Sequence, residues 1–507
     1  MNDGPAKNAE QRRGTRKSRD PLRLAGAVLP RLLLFAAALA SALAFTEPAN
    51  AQNAAPQPPP DAPPTRRLTL HSAVEPRPAL KYELLPSLLD RRPGNAAVLY
   101  NKIGLMFRGG AEFSEQMNKV SEWIESDLPL DKFPREEARV VVDRWRHVLD
   151  DLELASRCEQ CDWELPLQER EFISLLLPEI QEAREYARLL SLKARLQIVE
   201  GDFDGAVRTL RTGYALGRHV AKSPTLISTL VGVATCAQMN ARIEELASQP
   251  GAPSLYWALT ALPRPLVDFR LGIEAEKASL LLTFPELRDL GGKRRSPEDW
   301  RRLFDKFGDD LVRVGAIERR PAGRLLLTGM AIKGYPAAKR RLIELGRSPE
   351  EVEAMPVAQA VLLYSLDAYE EARDAMLKWT SVPYWEAAPQ SAKVEQEIAA
   401  AYRTKEILPF NVFLTPGNAF IAASARSERA IAMLRVIEAL RLHAGSHEGR
   451  LPKQLSEITD APIPQDAITG GPFIYRAEGD AATLEAPLPP GMDQTHYGMR
   501  YEIEFVR

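Results

Sequence analysis

The chain has 507 residues, 45% of them hydrophobic, with 66 Lys/Arg against 68 Asp/Glu and a net charge of −2. That length accommodates two or three domains, and that apolar share excludes wholesale disorder. The first 51 residues hold eight Lys/Arg and four Asp/Glu, so the remainder carries −6 and offers no electrostatic footprint for nucleic acid.

Arg12, Arg13, Arg16, Lys17, Arg19 and Arg23 precede an apolar run from Leu32 to Phe45, and Ala49-Asn50-Ala51 then fits the small-x-small cleavage rule. Residues 1–51 therefore read as a signal peptide, with Gln52 as the first mature residue and a periplasmic or extracellular destination. The run is short for a membrane span of about 20 residues. Extended by Leu24 to Leu29 it gives the alternative, an uncleaved N-terminal segment anchored in the inner membrane. Residues 52–78 are Pro-rich and read as an extended linker.

From Ala79 the pattern is helical. After a Pro-Gly-Asn break, a helix from Ala96 places Leu99, Ile103 and Met106 on one face. A second, Glu112 to Leu128, turns Met117, Val120 and Ile124 inward. A third runs from Pro134 to Leu154, with Glu136 and Glu137 in the first turn, where the helix macrodipole favours acids. The break that follows contains Cys158-Glu-Gln-Cys161. With Cys236 these are the only cysteines, so stability rests on a core and not on disulfides. In an exported protein Cys158 and Cys161 are expected as a local disulfide or a buried thiol pair. Two alternatives stay open: a redox pair, which wants a thioredoxin-like βαβ context, and half of a zinc site, which wants two more ligands.

Pro178 to Glu200 repeats Ile180, Ala183, Ala187, Leu190, Ala194 and Ile198 at helical spacing. Gly201-Asp202 ends this helix, and the next carries Val207, Leu210, Tyr214 and Val220 inward. The joint Gly-Asp-Phe-Asp-Gly-Ala resembles the middle of a tetratricopeptide unit, but no period of roughly 34 residues follows. The expectation is an irregular helical-hairpin domain, mainly α, over residues 79–418. Ser223-Pro224 starts a helix to Leu246 in which Cys236 is a core residue. Tyr256-Trp257 leads into a Leu262-Pro-Arg-Pro265 corner, with Trp257 packed under it. Glu274 and Glu276, two apart, point to different faces and read as solvated or ion-paired. Ser296-Pro-Glu-Asp starts a helix containing Trp300, Leu303 and Phe304, and Ser348-Pro-Glu-Glu starts another. Pro356 to Trp379 spaces Val361, Tyr364, Ala368, Ala372 and Met376 for burial.

Residues 419–507 read as a separate α+β module. A long helix spans Ala419 to Leu442, and after His443 alternation at Phe473, Tyr475, Tyr501, Ile503 and Phe505 predicts strands.

Several segments carry a family resemblance: ALKYELLP from Ala79, CDWELPL from Cys161, GDFDGAVRTLRTGYALGRHV, LYWALTALP from Leu255, MPVAQAVLLY from Met355 and IEALRLHAGSHEGRLPKQLSEI from Ile437. Across nearly the whole mature chain they resemble a family of exported helical proteins of planctomycete bacteria. The resemblance implies fold and export, and no activity. Gly449-Arg-Leu-Pro452 followed by Asp466-Ala-Ile-Thr-Gly-Gly-Pro-Phe473-Ile-Tyr475 is similar to the C-terminal region of type II secretion pseudopilins, with Ala467 where those proteins carry proline. The apolar pilin helix is missing from this part, so the resemblance implies a reused module and not assembly into a pilus. Asp460, Asp466 and Asp480 lack the roughly 12-residue ligand pattern of a calcium loop.

Catalytic signatures are absent. Gly291-Gly-Lys293 is followed by Arg and not by Ser/Thr, and neither His-Glu-x-x-His nor Gly-x-Ser-x-Gly occurs. His443 and His447 are four apart, a spacing that can share a metal on a helix face. Gly445 and Gly449, however, predict that the helix is ending there, and a dipole-favoured terminal pair is the expectation. His147 and His219 stand alone on helices. The sequence thus assigns no catalytic, cofactor or metal residues. It points to a non-enzymatic exported scaffold that binds a protein, peptide or envelope component. The alternatives are a hydrolase whose carboxylates assemble only in space, and an accessory part of a secretion or pilus-like system.

Overall fold

The computed structural model describes residues 63–506, leaving out 108–110, 126–127, 168–171, 173–176, 292–294, 314–316, 318–321, 405–406, 490–491 and 493–496. The signal peptide, the first part of the linker, Gly292 and Lys293 lie outside the described residues. Fifteen α-helices and six short strands occur among the described residues, so the chain is mainly helical with a small C-terminal sheet. None of these helices is long and apolar enough to cross a membrane.

The chain begins with strand β1 (Thr65–His71) and a short strand β2 (Arg92–Asn95). Helices α1 (Ala96–Met106) and α2 (Ala111–Trp123) follow. In α1 the buried face is Ala96, Ala97, Tyr100 and Ile103, while Met106 is exposed. The hydroxyl of Tyr100 meets the His219 ring, and this polar contact draws the aromatic face inward in place of Met106. The expected third helix is two, α3 (Arg135–Arg144) and α4 (Arg146–Ser156), broken at Trp145. Trp145 packs edge-on against Phe107 and Phe113 and bonds Gln116 through Nε1, and the helix bends to place it there. Strand β3 (Cys158–Gln160) pairs in parallel with β2.

Helices α5 (Pro178–Glu200), α6 (Phe203–Val220) and α7 (Leu226–Ala247) pack mutually. All six positions read as the inner face of α5 are buried. Gly201, at φ 77°, closes α5, and Asp202 caps α6 by accepting from the Gly205 N–H at 2.9 Å. The closest approach is between α6 and α7, where a Cβ on Gly217 would stand 2.8 Å from the Gly232 carbonyl. The N-cap of α7 is Thr225, not Ser223: its hydroxyl accepts from the Ser228 N–H at 3.1 Å. Short α8 (Tyr256–Thr260) precedes the proline corner, and α9 (Arg270–Thr283) leaves it.

A second apolar cluster then forms on its own. It draws on the end of α9, α10 (Pro297–Arg313), α11 (Ala322–Glu344), α12 (Pro349–Glu353) and α13 (Val357–Leu377), with Phe284, Phe307, Phe410 and Phe413 meeting edge to face. Ser348 and Glu351 cap α12 reciprocally, as the Ser-Pro-Glu-Glu pattern predicts. Helix α14 (Tyr384–Thr404) leads back toward the larger core.

Helix α15 (Gly417–Ser446) is the axis of the molecule. Every residue from Ile431 to Ala444 is buried, so this helix is enclosed on all sides. Its buried arginines and Glu438 are engaged. Arg441 bonds Glu438 at 2.9 Å and the carbonyls of His71 and Ala252. Glu438 accepts the Leu255 N–H, and Arg435 reaches Thr260 and Tyr256. The sheet beyond runs β1-β6-β5-β4, with β4 (Ile474–Glu478) and β5 (Ala481–Glu485) a hairpin and β6 (Arg500–Val506) at its centre. Tyr501, Ile503 and Phe505 alternate inward and join the same core as α5, α6 and α7. β1 lies inside the stretch expected to be linker. It pairs in parallel with β6, Thr65 opposite Arg500 through His71 opposite Val506, because Leu68 and Leu70 alternate with polar residues and cover the sheet edge.

Candidate binding cleft

Four distant segments meet around α15. They are the α8–α9 corner at residues 263–270, the start of α14, the face of α15 from Phe420 to Arg435, and the loop at 463–470. Between them lie two adjoining cavities, about 450 and 1030 Å³, that share Pro263, Arg264, Trp385, Glu428 and Ala467 as walls. Their combined size exceeds that of an ordinary small-ligand pocket, roughly 300–1,000 Å³. Trp385 stands between the two and is 45% exposed, a large amount for an indole set beside a packed core. The loop fits beneath it through Gly470, at φ 69°, where a Cβ would come within 3.1 Å of the ring. The loop itself is closed by Asp466 N–H to Gly471 O and Gly470 N–H to Asp466 O, both 2.8 Å.

Two carboxylates on the larger cavity have opposite tendencies. Glu428 accepts the Leu266 N–H at 2.9 Å through Oε1, while Oε2 has no hydrogen bond among the described residues. Burial raises its pKa, opposed by the Leu266 N–H and by Arg264. Asp268 accepts from the Arg270 guanidinium at 2.6–3.0 Å, and that bonding holds its pKa below the usual carboxylate range. Phe269, Ile273, Phe420, Ile421 and Val382 supply an apolar floor between these charges.

Residues singled out from sequence take other places. Cys158 and Cys161 are buried free thiols, and Cys236 is a third, packed in α7. Burial pushes Cys161 up to about 12. Cys158 and His219 both line a smaller recess of about 270 Å³, but no activated Cys–His pair results. His219 bonds Tyr100 Oη through Nδ1 at 3.0 Å, and burial lowers its pKa to about 3. Trp257 is half-buried against the main core, edge-on to Tyr256, and donates to Glu75 at 2.8 Å. Glu274 is exposed and lines the cleft. Glu276 departs from the solvated reading, being buried and accepting from Thr415 Oγ1 at 2.8 Å. Asp466 is not available as an ion ligand. Its carboxylate takes Arg429 at 2.6 and 2.7 Å, together with the N–H and hydroxyl of Thr469. Asp480 sits in the β4–β5 turn, and Asp460, Asp466 and Asp480 form no common ligand group among the described residues.

No family model, curated protein or solved structure matches this chain.

Proposed function

We propose that this chain is a non-enzymatic binding scaffold of the cell envelope that holds an extended peptide segment of a partner protein in the cleft at Trp385. The observation that supports it is an exposed indole at the junction of two cavities whose walls come from two helices, a proline corner and a loop. Trp385 and the floor of Phe420 and Ile421 suit an apolar side chain, and the open oxygen of Glu428 suits a backbone or side-chain N–H. Arg264 and Glu274 supply both signs of charge along the path, which fits a polypeptide better than a purely anionic ligand. Export through residues 1–51, the resemblance to exported helical proteins of planctomycete bacteria and the tetratricopeptide-like joint of α5 and α6 belong to the same proposal.

Panning a random-peptide display library on the protein tests it. Enriched peptides are expected to bind with micromolar affinity and to weaken at least about tenfold on Trp385→Ala, as for a central aromatic anchor. Absence of enrichment, or peptides indifferent to Trp385→Ala, overturns the proposal.

One observation favours a second reading. Glu428 raised and Asp268 lowered on one cavity is the kind of split that divides acid and base roles between two carboxylates. Turnover of peptide or glycan substrates that is abolished by Glu428→Gln would establish a hydrolase in its place.

A further inference from the structure

We infer that the end of α15 and the loop beyond it form a binding site for a divalent transition-metal ion, with His443, His447 and Asp460 as ligands. Among the described residues this is one group of three metal-ligating side chains whose donor atoms all lie within 4.8 Å of one another. Two imidazoles and one carboxylate are the donor set that suits zinc and its neighbours, and they leave at least one coordination position for water or substrate.

The local structure prepares each ligand. His443 lies in the last turn of α15 and His447 one turn later at its C-cap, so their rings stack at 3.9 Å between centroids, 14° from parallel. His443 is 6% exposed, and its Nδ1 is buried without a hydrogen-bond partner, 3.9 Å from Asp460 Oδ2. A buried imidazole nitrogen without a partner costs free energy unless something occupies its lone pair, and a metal ion does so. The Nδ1 of His447 is 2.9 Å from the His443 carbonyl and 2.9 Å from Ser446 Oγ. Donation to the carbonyl fixes the tautomer and leaves the lone pair on Nε2, the usual arrangement of a metal-bound histidine. Ser446 Oγ is also 3.2 Å from Asp460 Oδ2 and holds that carboxylate over the helix end.

Ligands at about 2.0–2.1 Å from a tetrahedral ion stand roughly 3.3 Å apart. The stacked rings must tilt and Asp460 must swing inward to reach that spacing. Both motions are side-chain rotations, and His447 and Asp460 are exposed enough to make them. Once closed, the site ties the C-terminus of α15 to the loop that follows the Gly449–Pro452 turn.

Titration of the tag-free, metal-stripped mature protein with zinc chloride, followed by calorimetry and by the shift in thermal unfolding, tests the inference. One equivalent is expected to bind and to raise the unfolding temperature. His447→Ala and Asp460→Asn, both at exposed positions, are each expected to weaken binding by at least about tenfold, since even outer-shell changes cost that much. His147→Ala, a lone exposed histidine on α4, is expected to change nothing. No saturable binding, or binding that survives both variants and disappears on Cys158→Ser/Cys161→Ser, overturns it.

Discussion

The buried pair Arg429–Asp466 is the joint between α15 and the C-terminal module, and its removal yields a quantitative test of how the module is held. Both side chains are at most 2% exposed. The guanidinium makes two bonds to Asp466, at 2.6 and 2.7 Å, and reaches the carbonyls of Tyr497 at 2.5 Å and Pro487 at 2.9 Å. Arg429→Met leaves the carboxylate buried with only the two groups of Thr469. Asp466→Ala leaves the cation buried with only the two carbonyls. Each single change strands a charge, for which the cost is about 3–5 kcal/mol. Arg429→Met/Asp466→Leu removes both charges, and its cost is expected well below the two singles added together, because the desolvation penalty goes with the pair and only the neutral groups of Thr469, Tyr497 and Pro487 lose a partner. Urea unfolding followed by circular dichroism reads all three. Single variants within about 1 kcal/mol of the parent, the value of an exposed pair, would refute the reasoning. So would a double variant as costly as the two singles added together.

Two further outcomes follow from buried titratable groups. His219 is held neutral at a pKa of about 3, against 6.5 ordinarily, by burial and secondarily by Lys222 and Arg218. Between those values the unfolded chain binds a proton that the folded chain does not. The contribution is therefore complete above pH 6.5 and is lost as the pH falls, at up to about 1.4 kcal/mol per pH unit. His219→Gln is expected to flatten the stability curve between roughly pH 6 and 4, and an unchanged slope in urea titrations across that range contradicts the assignment. Burial raises the thiols of Cys158, Cys161 and Cys236, the last two to about 12, so all three stay protonated at neutral pH. A chromogenic disulfide reagent is expected to react slowly with the native protein and with three thiols after unfolding. A single reactive thiol in unfolded, unreduced protein would show a Cys158–Cys161 disulfide in its place.

The elements legible in the sequence are those decided by local chemistry. The six inner positions of α5 repeat at helical spacing, and all are buried because one stripe faces α6 and α7. The Ser348 and Glu351 side chains cap a helix wherever the fold puts it. What escaped the sequence was decided by distant partners. Trp145 interrupts an otherwise unbroken helical pattern because Phe107 and Gln116 hold its ring. Arg66 and Leu70 in β1 look like linker until Glu244 of α7 accepts the guanidinium at 2.7 Å and β6 supplies a ladder. Glu276 reads as a solvated or ion-paired acid, and its burial shows only once Thr415, 139 positions away, donates to it.

The same distinction separates the two candidate sites. The cleft at Trp385 draws its walls from four segments, so no spacing in the sequence announces it. The metal site is half visible, since a histidine pair four apart is a recognisable pattern on a helix. Gly445 and Gly449 predict a helix end, and α15 does close at Ser446, one residue after Gly445, with His447 as its C-cap. Gly445 also answers to another constraint. The chain leaving β1 crosses there, with the Ala73 N–H donating to Arg441 O at 3.0 Å, and a Cβ on Gly445 would collide with the Ala73 carbonyl. A residue that reads as a helix breaker is thus the residue that lets β1 dock against the helix. His443 lies in the last turn and His447 at the C-cap beyond it, and Asp460 reaches them only through the fold of the loop that follows.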